Sequence, residues 1–282
     1  MQPMCGRINL SDNEGVQALM AMLGVPLLSE PSKSDSTLLH QPNFTPRWNI
    51  SPTAILSTVV ANSTTENSAI SGTTMRWGLE APWSEPDKAA RRLINARSET
   101  LLSKPTFRDL AKHYRTVVPV NGFYEWKVEA DERIPYYVQV HDLPAMLLAG
   151  VYQPLTADDI AKEKRTAVAK AKANASPQMG FLFDDATEEE TDNPDDQGAL
   201  FTGDFAVVTT EATNAMAAVH HRAPVMLNVE QAKRWLYTHD PAEIESLTAP
   251  ESIMDVSVRR VSRAVNSSRN DGPECTSPPK AE

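Results

Sequence analysis

The stretch TVVPVNGFYEWK, residues 116–127, is the part of the sequence that most directly predicts the fold. Thr116 to Val120 is rich in β-branched residues and is typical of a buried strand. Gly122 to Lys127 follows at once and places residue types used in catalysis beside apolar and turn residues. Because functional side chains often sit where a strand meets a loop, the stretch predicts both a sheet element and a candidate site.

Further strands are predicted on both sides of this stretch, at Ala54–Val60, Tyr136–Val140, Met146–Tyr152 and Phe205–Thr209. Helical apolar spacing predicts helices at Val16–Leu23, after a Ser11-Asp12 cap, and at Val229–Tyr237, where Trp235 should be buried. The polar residues Asn62–Thr74 are expected to form a hairpin loop. Many short strands and few helices indicate an α+β fold with a mixed, largely antiparallel sheet.

The chain of 282 residues is long enough for one full domain, with 41% hydrophobic residues. No apolar run approaches a membrane span, and the N-terminus lacks the pattern of a signal peptide. Two cysteines, Cys5 and Cys275, make no disulfide framework. We therefore expect an intracellular protein without a membrane partner, cytoplasmic and nucleoid-associated if it is bacterial.

The net charge of −10 argues weakly against a nucleic-acid partner, but the charge is unevenly distributed. Residues 1–150 hold 14 basic and 15 acidic residues, whereas Phe181 to Asp196 holds eight acidic residues and no basic one. We expect a single domain over residues 4–270, with a largely disordered acidic insertion at 155–198 and a C-terminal tail at 271–282, whose last ten residues should be frayed. Salt screening would keep such an insertion from cancelling a distant basic groove.

Four short blocks carry residue types suited to chemistry: Cys5-Gly6-Arg7, Asn95 to Thr100, Gly122 to Lys127, and His220 to Val225. Taken singly, each has an ordinary explanation. Cys5 could be a buried thiol, Asn95 and Arg97 a turn cap and an ion pair, Glu125 a solvent-facing strand residue, and the histidines packing residues. A zinc site is disfavoured, because no second cysteine is near Cys5 and adjacent histidines in an extended segment point in opposite directions.

The blocks in combination resemble the SRAP family (SOS response-associated peptidase), whose eukaryotic members are called abasic-site processing proteins. The resemblance covers nearly the whole chain outside residues 155–198. One departure is Ala223, which stands where the family usually has methionine. The matching elements stand here as Met4 to Arg7, Arg47-Trp48-Asn49-Ile50-Ser51-Pro52, Arg76-Trp77-Gly78-Leu79, Asn95 to Thr100, Gly122 to Trp126, His220 to Pro224 and Val261 to Asn266.

The resemblance implies a single barrel-like α+β domain, flanked by helices, that recognises abasic sites in single-stranded DNA. It implies that Cys5, as the first residue of the mature chain, traps the sugar aldehyde in a thiazolidine ring. A terminal cysteine suits this chemistry because it carries both a thiol and an α-amine. No cofactor or metal is expected, and the protein is expected to be a monomer.

The resemblance also implies roles for further residues. Glu125 would transfer protons, partly desolvated by Tyr124 and Trp126; His220 would protonate the sugar oxygen; Asn95 would orient the aldehyde or the amine. Arginines would bind phosphates and tryptophans would stack on bases, unless these rings are core residues. The expected DNA contacts are Arg7, Arg97, Arg222, Trp48, Trp77 and Trp83.

The α-amine of Cys5 is blocked until residues 1–4 are removed. Translation could begin at Met4, followed by removal of that methionine. Alternatively, the protein could cleave its own Met4–Cys5 bond with the Cys5 thiol as nucleophile and with Glu125 and His220 as proton carriers.

Three other functions remain open from the residues. A thiol peptidase acting on itself or on other chains would use the same Cys5, Glu125 and His220. An amidotransferase with an N-terminal nucleophile would leave the Asn95 and His220 blocks without a role. A non-catalytic single-strand binder would make Cys5 incidental.

Overall fold

The computed structural model describes residues 6–25, 46–61, 69–81, 92–130, 132–156, 159, 201–252 and 254–279. Cys5, Trp83 and nearly all of the insertion expected at 155–198 lie outside these residues. Within them, the strands in chain order are β1 (Ile8–Leu10), β2 (Arg47–Ile50), β3 (Ile55–Ala61), β4 (Ile70–Trp77), β5 (Leu79–Glu80), β6 (Arg92–Leu93), β7 (Asn95–Arg97), β8 (Arg115–Val120), β9 (Gly122–Glu129), β10 (Glu132–Val140), β11 (Met146–Pro154), β12 (Gly203–Glu211), β13 (Arg222–Pro224), β14 (Met226–Leu227) and β15 (Val256–Arg260).

The helices in the same residues are short and lie around the sheets. They are α1 (Asn13–Leu23), α2 (Pro105–His113), α3 (Asn214–Ala217), α4 (Val229–Tyr237) and α5 (Pro241–Thr248), with 3₁₀ turns at Ser98–Thr100, Pro250–Ser252, Arg263–Asn266 and Pro273–Cys275. Asp12 caps α1 by accepting a hydrogen bond from the backbone N–H of Gly15 at 3.1 Å. Asn228 and Gln231 form a capping box on α4. No helix in this part of the chain is long and apolar enough to cross a membrane.

Two sheets form the body of the molecule. The first is antiparallel, with strand order β15-β10-β9-β1-β2. In the second, β12 pairs with β4, β4 with β3, β3 with β8, β8 with β11, and β11 again with β12, so these strands close into a ring. Most pairs are antiparallel, while β12 runs parallel to β4 and β7. The expected α+β fold with mixed, largely antiparallel, barrel-like sheets is confirmed.

The main hydrophobic core is one cluster that takes in buried residues from both sheets and from the helices. Val117, Val118, Phe205 and Val207 have no solvent exposure, and Trp235 on α4 is equally buried, as the sequence predicts. The predicted strands and helices around these residues are all present, although several extend beyond the predicted bounds. Burial of such side chains stabilises each by about 1.5–3 kcal/mol relative to leaving it exposed.

Two expectations about irregular segments were wrong. Ile70–Trp77 forms strand β4, so the segment predicted as a loop, Asn62–Thr74, is partly sheet. The described part of the expected C-terminal tail is packed, because Cys275 is fully buried and the backbone N–H of Ser262 donates to the carbonyl of Ser277 at 2.8 Å. The serine and threonine residues of β4 led to the prediction of a loop, and the prolines near the C-terminus led to the prediction of a frayed tail.

Candidate functional site

Glu125 lies on β9, at the point where the N-terminal strand joins the first sheet. Ile8 is opposite Phe123, and the backbone N–H of Tyr124 donates to the carbonyl of Arg7 at 3.0 Å. The same register continued by one residue brings Gly6 beside Glu125. The Glu125 side chain is only 4% exposed. The described chain therefore begins alongside a buried glutamate.

Tyr124 and Trp126 do not surround Glu125, contrary to expectation. Successive side chains on a strand point to opposite faces, so both aromatic rings lie on the face away from the Glu125 carboxylate. Tyr124 packs with Tyr137, Val261, Val265 and Cys275, while Trp48 and Trp126 border this cluster. The burial of Glu125 comes from the face that looks toward the body of the molecule, where its cross-strand neighbour is Tyr136.

Hydrogen bonds tie the aromatic cluster to strand β2 and to the C-terminal segment. Tyr124 donates its hydroxyl to the carbonyl of Trp48 at 2.7 Å, and burial raises the pKa of Tyr124. Trp126 donates its indole N–H to Asn266 Oδ1 at 2.7 Å. The hydroxyl of the buried Tyr124 is thus satisfied inside the protein, and the indole N–H of the half-buried Trp126 is satisfied at the surface. These contacts favour a structural role for both rings.

Arg7 braces the start of the chain. Its guanidinium donates to Asn49 Oδ1 at 2.8 Å and to the carbonyl of Val265 at 3.1 Å. Burial lowers the pKa of Arg7, and proximity to Cys275 opposes this effect. The Nη1 atom of Arg7 is therefore already bonded to acceptors within the protein. A phosphate contact by Arg7 stays a prediction.

The Asn95–Thr100 block is held by pairing with β12 and by an ion pair. Within it, β7 runs parallel to β12, so that Asn95 is opposite Val207 and Arg97 opposite Thr209. Arg97 is exposed, whereas Glu99 forms a two-pronged ion pair with Arg222, with Nη2 to Oε2 at 2.9 Å. Partial burial acts to raise the pKa of Glu99, but the hydrogen bonds and charge of Arg222 outweigh it and lower that pKa.

Arg222 joins this block to the histidine block. It also donates to the Thr209 carbonyl at 2.7 Å and to the Thr209 hydroxyl at 3.3 Å. Because Glu99 already neutralises its charge, Arg222 is a weaker candidate than Arg97 for binding phosphate. Sequence reasoning missed Thr209 as a member of this group, since nothing local marks a threonine in a buried strand.

His220 follows α3, which packs against β15 of the first sheet. Its Nδ1 lies 3.1 Å from the backbone nitrogen and 3.3 Å from the carbonyl oxygen of Arg222, so the Arg222 backbone holds this side of the ring. Burial lowers the pKa of His220; the hydrogen bond with the Arg222 backbone opposes this effect, while the charges of His221 and Arg222 add to it. The lowered pKa favours the neutral imidazole over the imidazolium, and the contact with the Arg222 backbone fixes the position of the ring.

The two histidine rings contact each other, with centroids 4.3 Å apart, so the expectation that they point in opposite directions was wrong. The two histidines lie between α3 and β13, and the chain bends at His221 rather than forming an extended strand. Among the described residues, no group of three or more His, Cys, Asp or Glu side chains is placed to hold a metal ion.

The tryptophans separate into different roles. Trp77 has no solvent exposure, stacks near Phe205 with ring centroids 6.5 Å apart, and donates its indole N–H to the Ile94 carbonyl at 3.1 Å. It is a core residue and cannot stack on a base in this structure. Trp48 is half-buried at the edge of the aromatic cluster, so its stacking role stays a prediction.

Asn49 is a further residue to which sequence reasoning gave no role. It is 1% exposed and donates through Nδ2 to the carbonyls of Val265, Ser267 and Asn270 at 2.8–3.2 Å. Since its Oδ1 accepts from Arg7, one side chain links the first strand, the second strand and the C-terminal segment. The sequence could have suggested a role for Asn49 only through its position in the Arg47–Pro52 block that resembles the family.

Comparisons with solved structures support this architecture. A protein from Bacteroides thetaiotaomicron superposes with a TM-score of 0.63 at 19% identity, covering 97% of this chain and 99% of that one. A phage-related protein from Bordetella bronchiseptica gives a TM-score of 0.54 at 20% identity, covering 91% and 94%. At these identities the likeness establishes a shared fold.

Sequence comparisons connect the chain to named proteins. Abasic site processing protein YoqW of Bacillus subtilis (strain 168) is 27% identical over 239 residues, which is 84% of this chain and 88% of that protein. Abasic site processing protein HMCES of Gallus gallus is 30% identical over 212 residues, or 72% and 56% of the two chains. A family model described as SOS response associated peptidase (SRAP) matches residues 4–268. Because this model matches nearly the whole length of the chain, the chain belongs to the SRAP family.

Proposed function

We propose that this protein senses abasic sites in single-stranded DNA and captures them covalently through Cys5 after residues 1–4 have been removed. Its similarity to abasic site processing proteins supports the choice of lesion. The observation that carries the proposal is the hydrogen bond from the Tyr124 N–H to the Arg7 carbonyl, which aligns the start of the chain with Glu125. Consecutive Cα atoms are about 3.8 Å apart, so residue 5 is one short step from Gly6.

The reaction needs two additions to one carbon. The Cys5 amine attacks the open-chain aldehyde of the abasic sugar to form a carbinolamine, which loses water to give an imine. The thiol then adds to the imine carbon while the nitrogen takes up a proton, closing a five-membered thiazolidine. The second addition is intramolecular and is therefore strongly favoured.

Two described residues supply proton transfer in this scheme. Glu125 receives a proton from the attacking amine and returns it to the departing hydroxyl, as a general base and acid. His220, with its Nδ1 side held by the Arg222 backbone, donates a proton to the sugar oxygen. Arg97, exposed at the end of β7, binds a neighbouring phosphate, and Asn95 orients the aldehyde or the amine.

Intact-mass spectrometry with an abasic oligonucleotide tests the proposal. The wild-type protein should gain the oligonucleotide mass less one water, in an adduct that survives boiling in detergent. Cys5→Ala should abolish the adduct, whereas Cys275→Ser, which changes the buried cysteine, should retain it. An adduct that forms equally well in Cys5→Ala would refute capture by this residue.

Peptidase activity at the Met4–Cys5 bond is the second candidate, favoured by the family description. The same spectra test it in protein translated from Met1. If the protein processes itself, wild type should begin at Cys5 and Glu125→Gln should keep residues 1–4. If both keep residues 1–4 and only protein translated from Met4 begins at Cys5, self-cleavage is excluded.

A further inference from the structure

Three residues of the first sheet form a row across neighbouring strands. Glu125 on β9 is directly opposite Tyr136 on β10, and Tyr136 is directly opposite Arg260 on β15. Directly opposed residues of antiparallel strands project from the same face, with Cβ atoms about 4.5–5.5 Å apart. The register therefore places a tyrosine and an arginine in line with the proposed proton carrier.

The contacts of the adjacent residues confirm which face this is. The rings of Tyr124 and Tyr137 lie 5.2 Å apart, and the Arg259 guanidinium lies 4.9 Å from the centre of the Tyr137 ring. Each of these three residues is the sequence neighbour of one member of the row, and each lies on the opposite face of the sheet. Because side chains alternate, Glu125, Tyr136 and Arg260 share the face that looks away from the aromatic cluster.

Exposure increases along the row. Glu125 is 4% exposed, Tyr136 is half-buried and Arg260 is exposed. Since neighbouring strands are about 4.8 Å apart, the Cα atoms of Glu125 and Arg260 are separated by roughly 10 Å. An arginine side chain at that distance reaches a phosphate next to a sugar held at Glu125.

The charge of Arg260 is also available to a ligand. Among the described residues no acidic side chain forms an ion pair with it, whereas Arg47, Arg222 and Arg263 pair with Asp271, Glu99 and Glu132. A solvated surface arginine would be unremarkable elsewhere. Arg260, however, ends a row that begins at Glu125, and the ring of Tyr136 lies between them.

We propose that this row is the path of the DNA strand leaving the site, with Tyr136 stacking on a base and Arg260 binding a backbone phosphate. Aromatic rings for bases and cations for the backbone are the usual means of binding single strands. The proposal rests on the proposed function and deepens it, because it assigns two contact residues and a direction across β10 and β15.

The test measures binding of an undamaged single-stranded oligonucleotide as a function of salt. Arg260→Gln should reduce the slope of log affinity against log salt by about 0.7, the value for one phosphate contact on a single strand. Arg259→Gln is the matched control, with the same charge change one residue away on the opposite face, and should leave the slope unchanged. Thermal unfolding of both variants confirms that they fold.

Tyr136 is tested separately by two substitutions. Tyr136→Leu should weaken binding about tenfold without changing the salt slope, and Tyr136→Phe should retain wild-type affinity, because stacking needs the ring and not the hydroxyl. An unchanged slope in Arg260→Gln, or equal reductions in both arginine variants, overturns the assigned path. So does equal binding by Tyr136→Leu and wild type.

Failure of the proposed function gives a different result. If wild type binds undamaged DNA with the expected dependence on Arg260 but never forms an adduct with abasic DNA, covalent capture is wrong and the path stands. If wild type forms the adduct while the variants bind as wild type does, the path is wrong and capture stands. If wild type neither binds nor forms an adduct, both proposals are overturned.

Discussion

Arg115 joins the ends of two helices with one buried side chain. Its guanidinium donates to the carbonyls of Ala111 and Lys112 at the end of α2, at 2.6 and 2.7 Å. It also donates to three carbonyls at the end of α4, those of Trp235 (at 2.5 Å), Leu236 and Thr238. Burial lowers the pKa of Arg115 to about 10, so the group remains charged at pH 7. It satisfies carbonyls that helix ends leave without partners.

Arg115→Met should lower the free energy of unfolding by about 3 kcal/mol, because several carbonyls that are buried beside it lose their donor. Arg115→Lys should recover part of this loss, since an ammonium has three donors where a guanidinium has five. Arg108→Met on the exposed side of α2 is the control and should change stability by less than about 0.5 kcal/mol. Chemical denaturation measures all three, and equal effects at the two positions would contradict the assigned role.

At the scale of elements, the C-terminal segment 261–277 closes the aromatic face of the first sheet. Asp271 accepts hydrogen bonds from the backbone N–H groups of Trp48 and Asn49, at 2.6 and 2.9 Å, and from Arg47 Nε at 2.7 Å. These bonds satisfy the outer edge of β2, which pairs only with β1 among the described strands. The segment therefore completes a sheet edge as well as covering a cluster.

Asp271→Ala should free this edge and cost about 2 kcal/mol, since hydrogen bonds to a charged group contribute about 1.5–3 kcal/mol. Hydrogen exchange should accelerate at residues 47–50, and adduct formation should slow because Asn49 positions Arg7. Glu274→Ala, an exposed change in the same segment, is the control. Unaltered exchange at residues 47–50 in Asp271→Ala would show that the edge is held by other contacts.

The sequence predicted the elements whose signal is local. Runs such as Thr116–Val120 and the apolar spacing of Val229–Tyr237 predicted β8 and α4, because such patterns require a buried face. Strands of two or three residues, such as β7 and β13, have no detectable period and were missed. The alternation on β9 was available from the sequence and places Tyr124 and Trp126 away from Glu125. The row of Glu125, Tyr136 and Arg260 depends on pairing between distant strands, which no local pattern reveals.

At the scale of the whole molecule, residues 157–200 connect two strands that already lie side by side. Pro154 on β11 is opposite Gly203 on β12, and the Leu155 N–H donates to the Thr202 carbonyl at 3.0 Å. A connection of a few residues can therefore join the strands. Residues 157–200 hold eleven acidic and five basic side chains, so their removal changes the net charge from −10 to −4.

Replacing residues 157–200 with a four-residue Gly/Ser linker should preserve the fold and adduct formation. Closing a shorter loop should add up to about 2 kcal/mol of stability. Association with DNA at low salt should be faster, because less negative charge repels the phosphates. A full-length variant in which the acidic residues of 181–196 are replaced by neutral ones keeps the loop length and changes only the charge. It therefore separates the effect of charge from that of loop length. Loss of cooperative unfolding in the shortened protein would show that the replaced residues belong to the fold.

The guanidinium of Arg7 reaches across 258 positions of the sequence to the carbonyl of Val265, and Asn49 holds three carbonyls of the same C-terminal segment. A chain still being translated lacks these partners, although its beginning has long since left the ribosome. We expect the site formed by the N-terminal strand and Glu125 to assemble only when synthesis is complete. Such an order of assembly would keep an aldehyde-trapping amine and thiol from being positioned on an unfinished polypeptide.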